Sequence, residues 1–338
     1  MAQKEVADIT NEVRRENRRQ LRRELRATLV VAAVMVVLYW VVTSQLVQDF
    51  CAGIWFRPGE PVAAMMDELD LTATGRRILR ATQPAIEGRE DFNQHCDSHR
   101  SELSLLGCYT DGRIYVYEIT EERLRASNKV TLAHELLHAA WERMGPSERE
   151  ETQRLLAKVQ AENAEWFQIE LAAYEETEQT EEIWTRAGTK LGVLPAALEE
   201  KYARYFRDRA LVVAFYEEYQ APFRELQDRN EELRQVIFAT KAEIERERDE
   251  YLAAVGSLDE KVAEFNACAE EAGCFESDEK FTSERERLNQ AREGLMAERE
   301  RLNAKIDENN ARVEEYEANQ MMLGELTEAM NSNAEEKV

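Results

Sequence analysis

Residues 131–141 read TLAHELLHAAW, and this stretch decides how the rest of the chain is interpreted. Most of its residues are apolar and good helix formers, which predicts a buried helix. Its functional polar residues are His134, Glu135 and His138. Residues four apart lie on one face of a helix, so the two imidazoles can bind the same metal ion. Glu135 points away from that face and can reach a water molecule on the ion.

This HExxH arrangement is typical of zinc hydrolases. Two neutral imidazoles hold Zn²⁺, the ion acidifies a water molecule, and the glutamate takes its proton as general base. The alternative is a core helix with two hydrogen-bonded histidines. However, two of the four histidines of the chain lie on this apolar helix. A buried glutamate is also costly unless it is paired or lies near a cation. The pattern therefore favours a zinc site.

The predicted zinc site needs a third protein ligand, because a catalytic zinc usually has three. No histidine follows His138, so the third ligand must be a carboxylate. Residues 179–189 are expected to form a short helix that ends at Gly188 in a C′ position. Its apolar residues would bury one side of that helix, and Glu182 is preferred to Glu181 as the ligand. Two alternatives on the preceding helix are Glu162 and Glu165.

Residues 27–48 contain no charged side chain and form a run long enough to span a bilayer as a helix. The preceding segment, 1–26, is rich in arginine, and Asp49 follows the run. The positive-inside rule then places 1–26 in the cytoplasm and the body of the chain outside the cell membrane. A cleaved signal peptide is the alternative, but its apolar region would be shorter and would end in small residues. The sequence therefore predicts a single-pass signal anchor.

The overall composition favours helices and argues against nucleic acid as a partner. The chain has 338 residues, 33% of them charged, with few glycines and prolines. Its formal net charge is −24, and the basic residues of 1–26 make the remainder more acidic still. Binding to phosphates requires a basic face, which this body lacks.

The five cysteines indicate an oxidising compartment. Cys96 and Cys108 flank one short segment, and Cys268 and Cys274 flank another, so two local disulfides are expected. Cys51 is left over beside the predicted membrane span. It can be free, lipid-modified or paired between chains.

Three further features lie within residues 49–221, the predicted catalytic domain. The segment 113–119 (RIYVYEI) is the clearest strand, and we expect it at the edge of the cleft, where an extended substrate could pair with it. An ordinary sheet strand is the alternative. His95 and His99 are also four apart, but their polar surroundings favour structural histidines. Two residues that could stabilise an oxyanion, although core packing is favoured for them, are Tyr202 and Arg204.

Residues 222–330 show heptad spacing, which predicts two long helices. Apolar residues fall on a heptad seam between Phe223 and Phe265, and a second seam repeats every seven residues from Leu288 to Met330, with a break at 268–281 between them. We interpret the region as an antiparallel coiled-coil hairpin that serves as a spacer, a partner-docking arm or a dimerisation surface. Asn230 and Asn309 occupy seam positions, where polar residues fix the register at a cost in stability. The last residues, 331–338, are expected to be a disordered tail.

Three segments together resemble the gluzincin class of zinc metallopeptidases: HELLHAAW at 134–141, EIWTRAGT at 182–189 and LEEKYARYFRDR at 198–209. More narrowly, the chain is similar to membrane-anchored bacterial proteins with such a domain. The resemblance implies a zincin-like helical domain with a small β-sheet. It also implies that His134 and His138 are zinc ligands, that Glu135 is the base, and that a downstream glutamate, here Glu182, is the third ligand.

Two functions are therefore expected from the sequence. The first is a membrane-anchored extracytoplasmic zinc metallopeptidase that acts on peptide or protein substrates, with a mainly α (α+β) fold. The second is a non-catalytic envelope scaffold that acts through its coiled-coil arm. In that case the HExxH helix holds a structural metal or none.

Overall fold

The computed structural model describes residues 25–26, 28–39, 41, 44–96 and 106–332. These residues are mainly helical, with one small sheet and two long C-terminal helices, as predicted from the composition and the heptads. The chain divides into two compact units, one of Met1–Tyr219 with Asn331–Val338 and the other of Gln220–Met330.

The helices follow one another with short connections. They are α1 (Gln45–Trp55), α2 (Glu60–Glu68), α3 (Ala73–Ala81), α4 (Arg89–His95), α5 (Ala126–Glu142), α6 (Pro146–Glu162), α7 (Ala164–Glu170), α8 (Glu176–Lys190), α9 (Ala196–Tyr202), α10 (Arg209–Glu270) and α11 (Asp278–Ala329). A 3-10 turn, Glu122–Leu124, precedes α5.

The sheet contains three strands, β1 (Ala85–Glu87), β2 (Gly107–Thr110) and β3 (Arg113–Tyr117), in the order β1-β3-β2. β1 pairs with β3 in parallel, and β2 pairs with β3 as an antiparallel hairpin. β3 is therefore the central strand, and its predicted place at the cleft edge is wrong. β1 and β2 occupy the two edges, because β3 pairs with β1 on one side and the turn at Asp111 and Gly112 folds β2 back onto its other side.

The core of the first unit surrounds α5, which packs against α3, α8, β2 and β3. Its apolar residues are almost completely buried, as the sequence predicted. The indole of Trp184 on α8 donates a hydrogen bond to the carbonyl of Leu137 (3.1 Å). The hydroxyl of Tyr202 donates in turn to the carbonyl of Trp184 (2.7 Å). These bonds hold α8 and α9 against α5.

Gly188 does not end a helix, contrary to the sequence prediction. α8 continues to Lys190, and Gly188 is buried where α8 meets α5. A Cβ atom there would lie 2.5 Å from Leu137 Cδ1 and 2.6 Å from Tyr202 Cε1. The residue is therefore glycine for close packing, which a local C-cap signal does not distinguish.

The predicted membrane span, 27–48, includes positions outside the described ranges. Residues 28–39 and 41 are helical, and the large apolar side chains from Leu29 to Tyr39 are exposed. α1 begins at Gln45, within the predicted span. Among the described residues, none of the helices combines the length and the apolar character needed to cross a bilayer.

Both predicted disulfides are present. Cys96 is joined to Cys108 with a Cα–Cα distance of 5.9 Å, which ties the end of α4 to β2. Cys268, near the end of α10, is joined to Cys274 in the segment between α10 and α11, with a Cα–Cα distance of 5.3 Å. Cys51 is free and exposed.

The second unit contains most of α10 and α11. Pro222 lies within α10 and does not interrupt it, although a proline removes one helical hydrogen bond. Asn230 and Asn309 are both buried, and the Oδ1 atom of each has no hydrogen-bond partner among the described residues.

Part of the segment 331–338, predicted as a disordered tail, is described. The carbonyl of Asn331 accepts a hydrogen bond from Arg89 Nη2 (3.2 Å), and that of Ser332 accepts one from Asn93 Nδ2 (2.8 Å). Both contacts lie within the first unit, and residues 333–338 lie outside the described ranges.

Candidate metal centre

The two histidines of α5 meet one glutamate of α8. His134, His138 and Glu182 each offer one ligand atom, and these atoms lie within 4.8 Å of one another. His138 Nε2 is 3.2 Å from His134 Nε2 and 3.1 Å from Glu182 Oε1. His134 Nε2 is 3.7 Å from Glu182 Oε2. The three residues therefore form a group that could hold a metal ion.

The spacing of these atoms suits a tetrahedral ion. Zinc binds nitrogen and carboxylate oxygen at about 2.0–2.2 Å, so two ligands at a tetrahedral angle are roughly 3.3 Å apart. The two imidazole nitrogens are 3.2 Å apart and His138 Nε2 is 3.1 Å from Glu182 Oε1, close to that value, while His134 Nε2 is 3.7 Å from the other carboxylate oxygen, Glu182 Oε2. The donor set of two imidazole nitrogens and one carboxylate suits a divalent ion such as zinc.

Glu181 holds His138 from the other side of its ring. Its Oε1 lies 2.8 Å from His138 Nδ1. A carboxylate in that place favours a proton on Nδ1, so that an ion can bind at Nε2 once that nitrogen is deprotonated. Metal-bound histidines are commonly oriented by such a carboxylate. Two adjacent glutamates of α8 thus serve the same histidine in different ways.

The electrostatics of the cluster favour a positive charge between its ligand atoms. Burial alone would raise the pKa of Glu182, but the hydrogen bond with His138 and the nearby His134 lower it to about 2. Burial lowers the pKa of His134 well below its usual value. Burial acts on His138 in the same direction, but hydrogen bonds with Glu181 and Glu182 prevail and raise its pKa. A buried carboxylate that stays ionised is a suitable ligand for a cation.

Glu135 lies on α5 beside the cluster, where its side chain is buried against β2. A Cβ atom at Gly107 would lie 2.9 Å from Glu135 Oε1 and 2.4 Å from Thr131 Cγ2. Glycine at 107 therefore lets the edge strand approach the helix closely. His134, Glu135 and His138 all line one cavity.

The cavity has a volume of about 300 Å³ and is open to solvent. Four of its lining residues were not predicted from the sequence: Tyr174, Glu178, Arg186 and Lys190. Arg186 donates to Glu182 Oε2 (3.2 Å) and to the hydroxyl of Tyr174 (2.8 Å). Arg186 and Lys190 also share the carboxylate of Glu170. Their spacing from Glu182 by four and eight residues is the sequence signal that places them on its side of α8.

The other candidates lie elsewhere. Tyr202 is fully buried and stacks on Trp184 with ring centroids 4.1 Å apart, so the packing interpretation holds for it. Arg204 forms an ion pair with Glu148 and does not line the cavity.

The alternative ligands and the second histidine pair are also apart from the cluster. Glu162 and Glu165 are exposed and do not belong to it. His95 pairs with Glu87 (2.8 Å) and stacks on Tyr115, in agreement with a structural role. His99 lies outside the described residues.

Comparison with known proteins found no matching family model, no matching curated protein and no matching solved structure. The geometry of the site is therefore the basis on which a function is proposed.

Proposed function

We propose that the chain is a membrane-anchored, extracytoplasmic zinc metallopeptidase of the gluzincin type. The observation that carries the proposal is the convergence of His134, His138 and Glu182 beside Glu135 in an open cavity. Two imidazoles and one carboxylate are the usual ligand set of a catalytic zinc in this class of enzyme. A structural zinc site would instead have four protein ligands.

His134, His138 and Glu182 would hold the zinc, which when bound supplies a Lewis acid and acidifies a water molecule. Glu135 then takes a proton from the attacking water and passes it to the amine nitrogen of the leaving peptide. Glu181 keeps the His138 ring in the orientation that presents Nε2 to the ion.

The cavity also offers hydrogen-bond donors to the oxyanion that forms on the peptide carbonyl. Tyr174, Arg186 and Lys190 line it and are held in place by the contacts around Glu170. Preorganised donors of this kind stabilise the transition state.

The substrate would bind along β2. Among the described residues, β2 pairs with β3 alone, and its residues Gly107, Cys108 and Tyr109 line the cavity. An extended peptide can add its backbone to such an edge. We therefore assign to β2 the role that the sequence analysis gave to residues 113–119.

The proposed cellular arrangement follows the sequence. The uncharged run 27–48 would anchor the chain in the membrane, with the body outside. The two disulfides agree with an oxidising compartment.

In the second unit, Arg229 pairs with Glu315 and Lys305 pairs with Glu243, so early residues of α10 meet late residues of α11. This pairing supports an antiparallel coiled coil.

The scaffold hypothesis remains the second candidate because of the length of that coiled coil. α10 and α11 contain 62 and 52 residues, far more than a catalytic domain requires. Such an arm can dock a protein partner whether or not the cluster in the first unit catalyses a reaction.

The first test uses the Glu135→Gln variant of the full chain in detergent. We expect about one zinc per chain in both the wild type and the variant, and hydrolysis of an unstructured protein substrate by the wild type only. The general base contributes on the order of a 10²- to 10⁴-fold increase in rate. The matched control is Glu178→Gln, which changes another cavity carboxylate and should keep most of the activity. Equal hydrolysis by the wild type and Glu135→Gln would overturn the assignment.

A further inference from the structure

The polar groups of helix α1 form hydrogen bonds with the rest of the first unit. Asp49 is buried (3% exposed) and accepts hydrogen bonds from Arg143 Nη2 (2.8 Å) and Nε (3.0 Å). Arg80 of α3 donates to the carbonyls of Gly53 (3.1 Å) and Phe56 (3.0 Å). Charged and polar groups thus attach α1 to α3 and to the end of α5.

The opposite side of α1 is apolar and faces outward. Phe50, Ile54 and Trp55 are 64%, 50% and 86% exposed, and Cys51 beside them is also exposed. Positions i, i+1, i+4 and i+5 share one face of a helix, so the four side chains form one surface. A helix on a water-facing protein surface has the reverse arrangement, with its apolar face inward.

The residues before α1 indicate what covers this apolar face. The exposed apolar side chains of residues 28–39 precede it in the chain, and α1 begins at Gln45, inside the uncharged run 27–48. A chain that leaves a bilayer near the end of that run would place the rest of α1, from Phe50 to Trp55, at the membrane surface. Tryptophan and phenylalanine are typical of that interface.

We propose that the apolar face of α1 (Phe50, Cys51, Ile54 and Trp55) lies in the outer interface of the lipid bilayer. This inference rests on the membrane anchoring in the proposed function and is independent of zinc or catalysis. Because Arg143 also donates to the hydroxyl of Tyr109 (3.1 Å), which lines the cavity, α1 ties the candidate site to the membrane surface.

Cys51 provides the test, since the other four cysteines are in disulfides. The full chain is labelled at Cys51 with a thiol-reactive environment-sensitive fluorophore and reconstituted into vesicles of phosphatidylethanolamine and phosphatidylglycerol. Quenching is measured with iodide in the water and with lipids that carry a nitroxide close to the headgroup. The matched control carries Cys51→Ser with Glu150→Cys, which places the label on an exposed position of α6.

We expect the nitroxide lipid to quench the Cys51 label strongly and iodide to quench it several-fold less than the control label. Replacement of Phe50, Ile54 and Trp55 by serine should raise the quenching of the Cys51 label by iodide to that of the control label. The chain should remain associated with the vesicles.

A Cys51 label as accessible to iodide as the control, in chains that remain with the vesicles, would overturn the inference and leave the anchoring intact. A label protected from both quenchers would mean that a second copy or another protein surface covers the face, which also overturns it. Chains that do not associate with vesicles would refute the anchoring itself.

Discussion

The acidic residues of the candidate metal centre and those of the long helices show similar pKa shifts in very different surroundings. Burial opposes ionisation of Glu182, and its histidine contacts still lower its pKa to about 2. On α10, hydrogen bonds from Arg234 and Gln235 lower the pKa of Glu231 to about 2 as well, but this side chain is exposed to water. A pair in water is screened and contributes little, whereas a buried pair cannot lose one partner cheaply. The two regions therefore differ in how deeply their carboxylates are buried, and not in the charge or in the pKa shift of these groups.

The largest expected effect is the loss of bound metal in His138→Ala. His138 contributes Nε2 to the cluster and is the residue that Glu181 orients. Removal of one of three protein ligands should reduce zinc from about one per chain to none, as measured by elemental analysis of the purified full chain. The control is His95→Ala, which removes a histidine paired with Glu87 and should keep the metal. Unchanged zinc in His138→Ala would show that the cluster is not its site.

Gly188→Ala should lower both the stability of the first unit and its affinity for metal. The added Cβ would collide with Leu137 and Tyr202, and overpacking of this kind costs about 1–3 kcal/mol. Since α8 carries Glu182, its displacement should also weaken zinc binding. Gly192→Ala is the control, because no atom lies within 4 Å of a Cβ there. Urea unfolding of both variants measures the difference, and equal stability would mean that α8 can shift without cost.

Glu181→Gln should retain the fold and weaken metal binding by about 10- to 100-fold, the usual effect of losing the carboxylate partner of a metal-bound histidine. Glutamine can still accept a hydrogen bond from His138 Nδ1, but it lacks the charge that makes the imidazole a stronger ligand. Competition with a chelator of known zinc affinity measures the change. Glu178→Gln alters the same cavity without contacting His138 and should bind zinc as the wild type does. A similar weakening in both variants would indicate that only the overall charge of the cavity matters.

The difference between local and tertiary signals explains what the sequence could predict. The course of α5, its two histidines, the cysteine pairs and the long helices all follow from spacing over a few residues, and the structure contains each of these elements. The places of Gly107 and Gly188 depend on how closely β2 and α8 approach α5, which no local pattern encodes. Because the chain has so many acidic residues, its composition also does not determine which glutamate is the third metal ligand.

Local sequence patterns also do not determine which strand lies at the cleft or which side chains face the cavity. Residues 113–119 have the stronger strand signal, yet β3 is central and the weaker strand β2 lies at an edge of the sheet. The order of the strands depends on which strands pair in the folded protein, and the strength of a strand signal does not give it. Arg186 and Lys190 lie one and two helical turns beyond Glu182, but only the fold shows that this side of α8 faces the cavity.

The smallest expected effect is that of Glu315→Gln on the second unit. Glu315 receives two hydrogen bonds from Arg229, at 2.7 and 2.9 Å, which is as good a geometry as any ion pair of the metal centre shows. Both side chains are nevertheless about half exposed, so water and salt compete with the pair. We expect the free energy of unfolding in urea to change less than in Gly188→Ala and the difference to disappear as the salt concentration rises. A large, salt-independent loss would show that the long helices depend on their charged residues as strongly as the metal centre does, and the contrast between the two regions would fail.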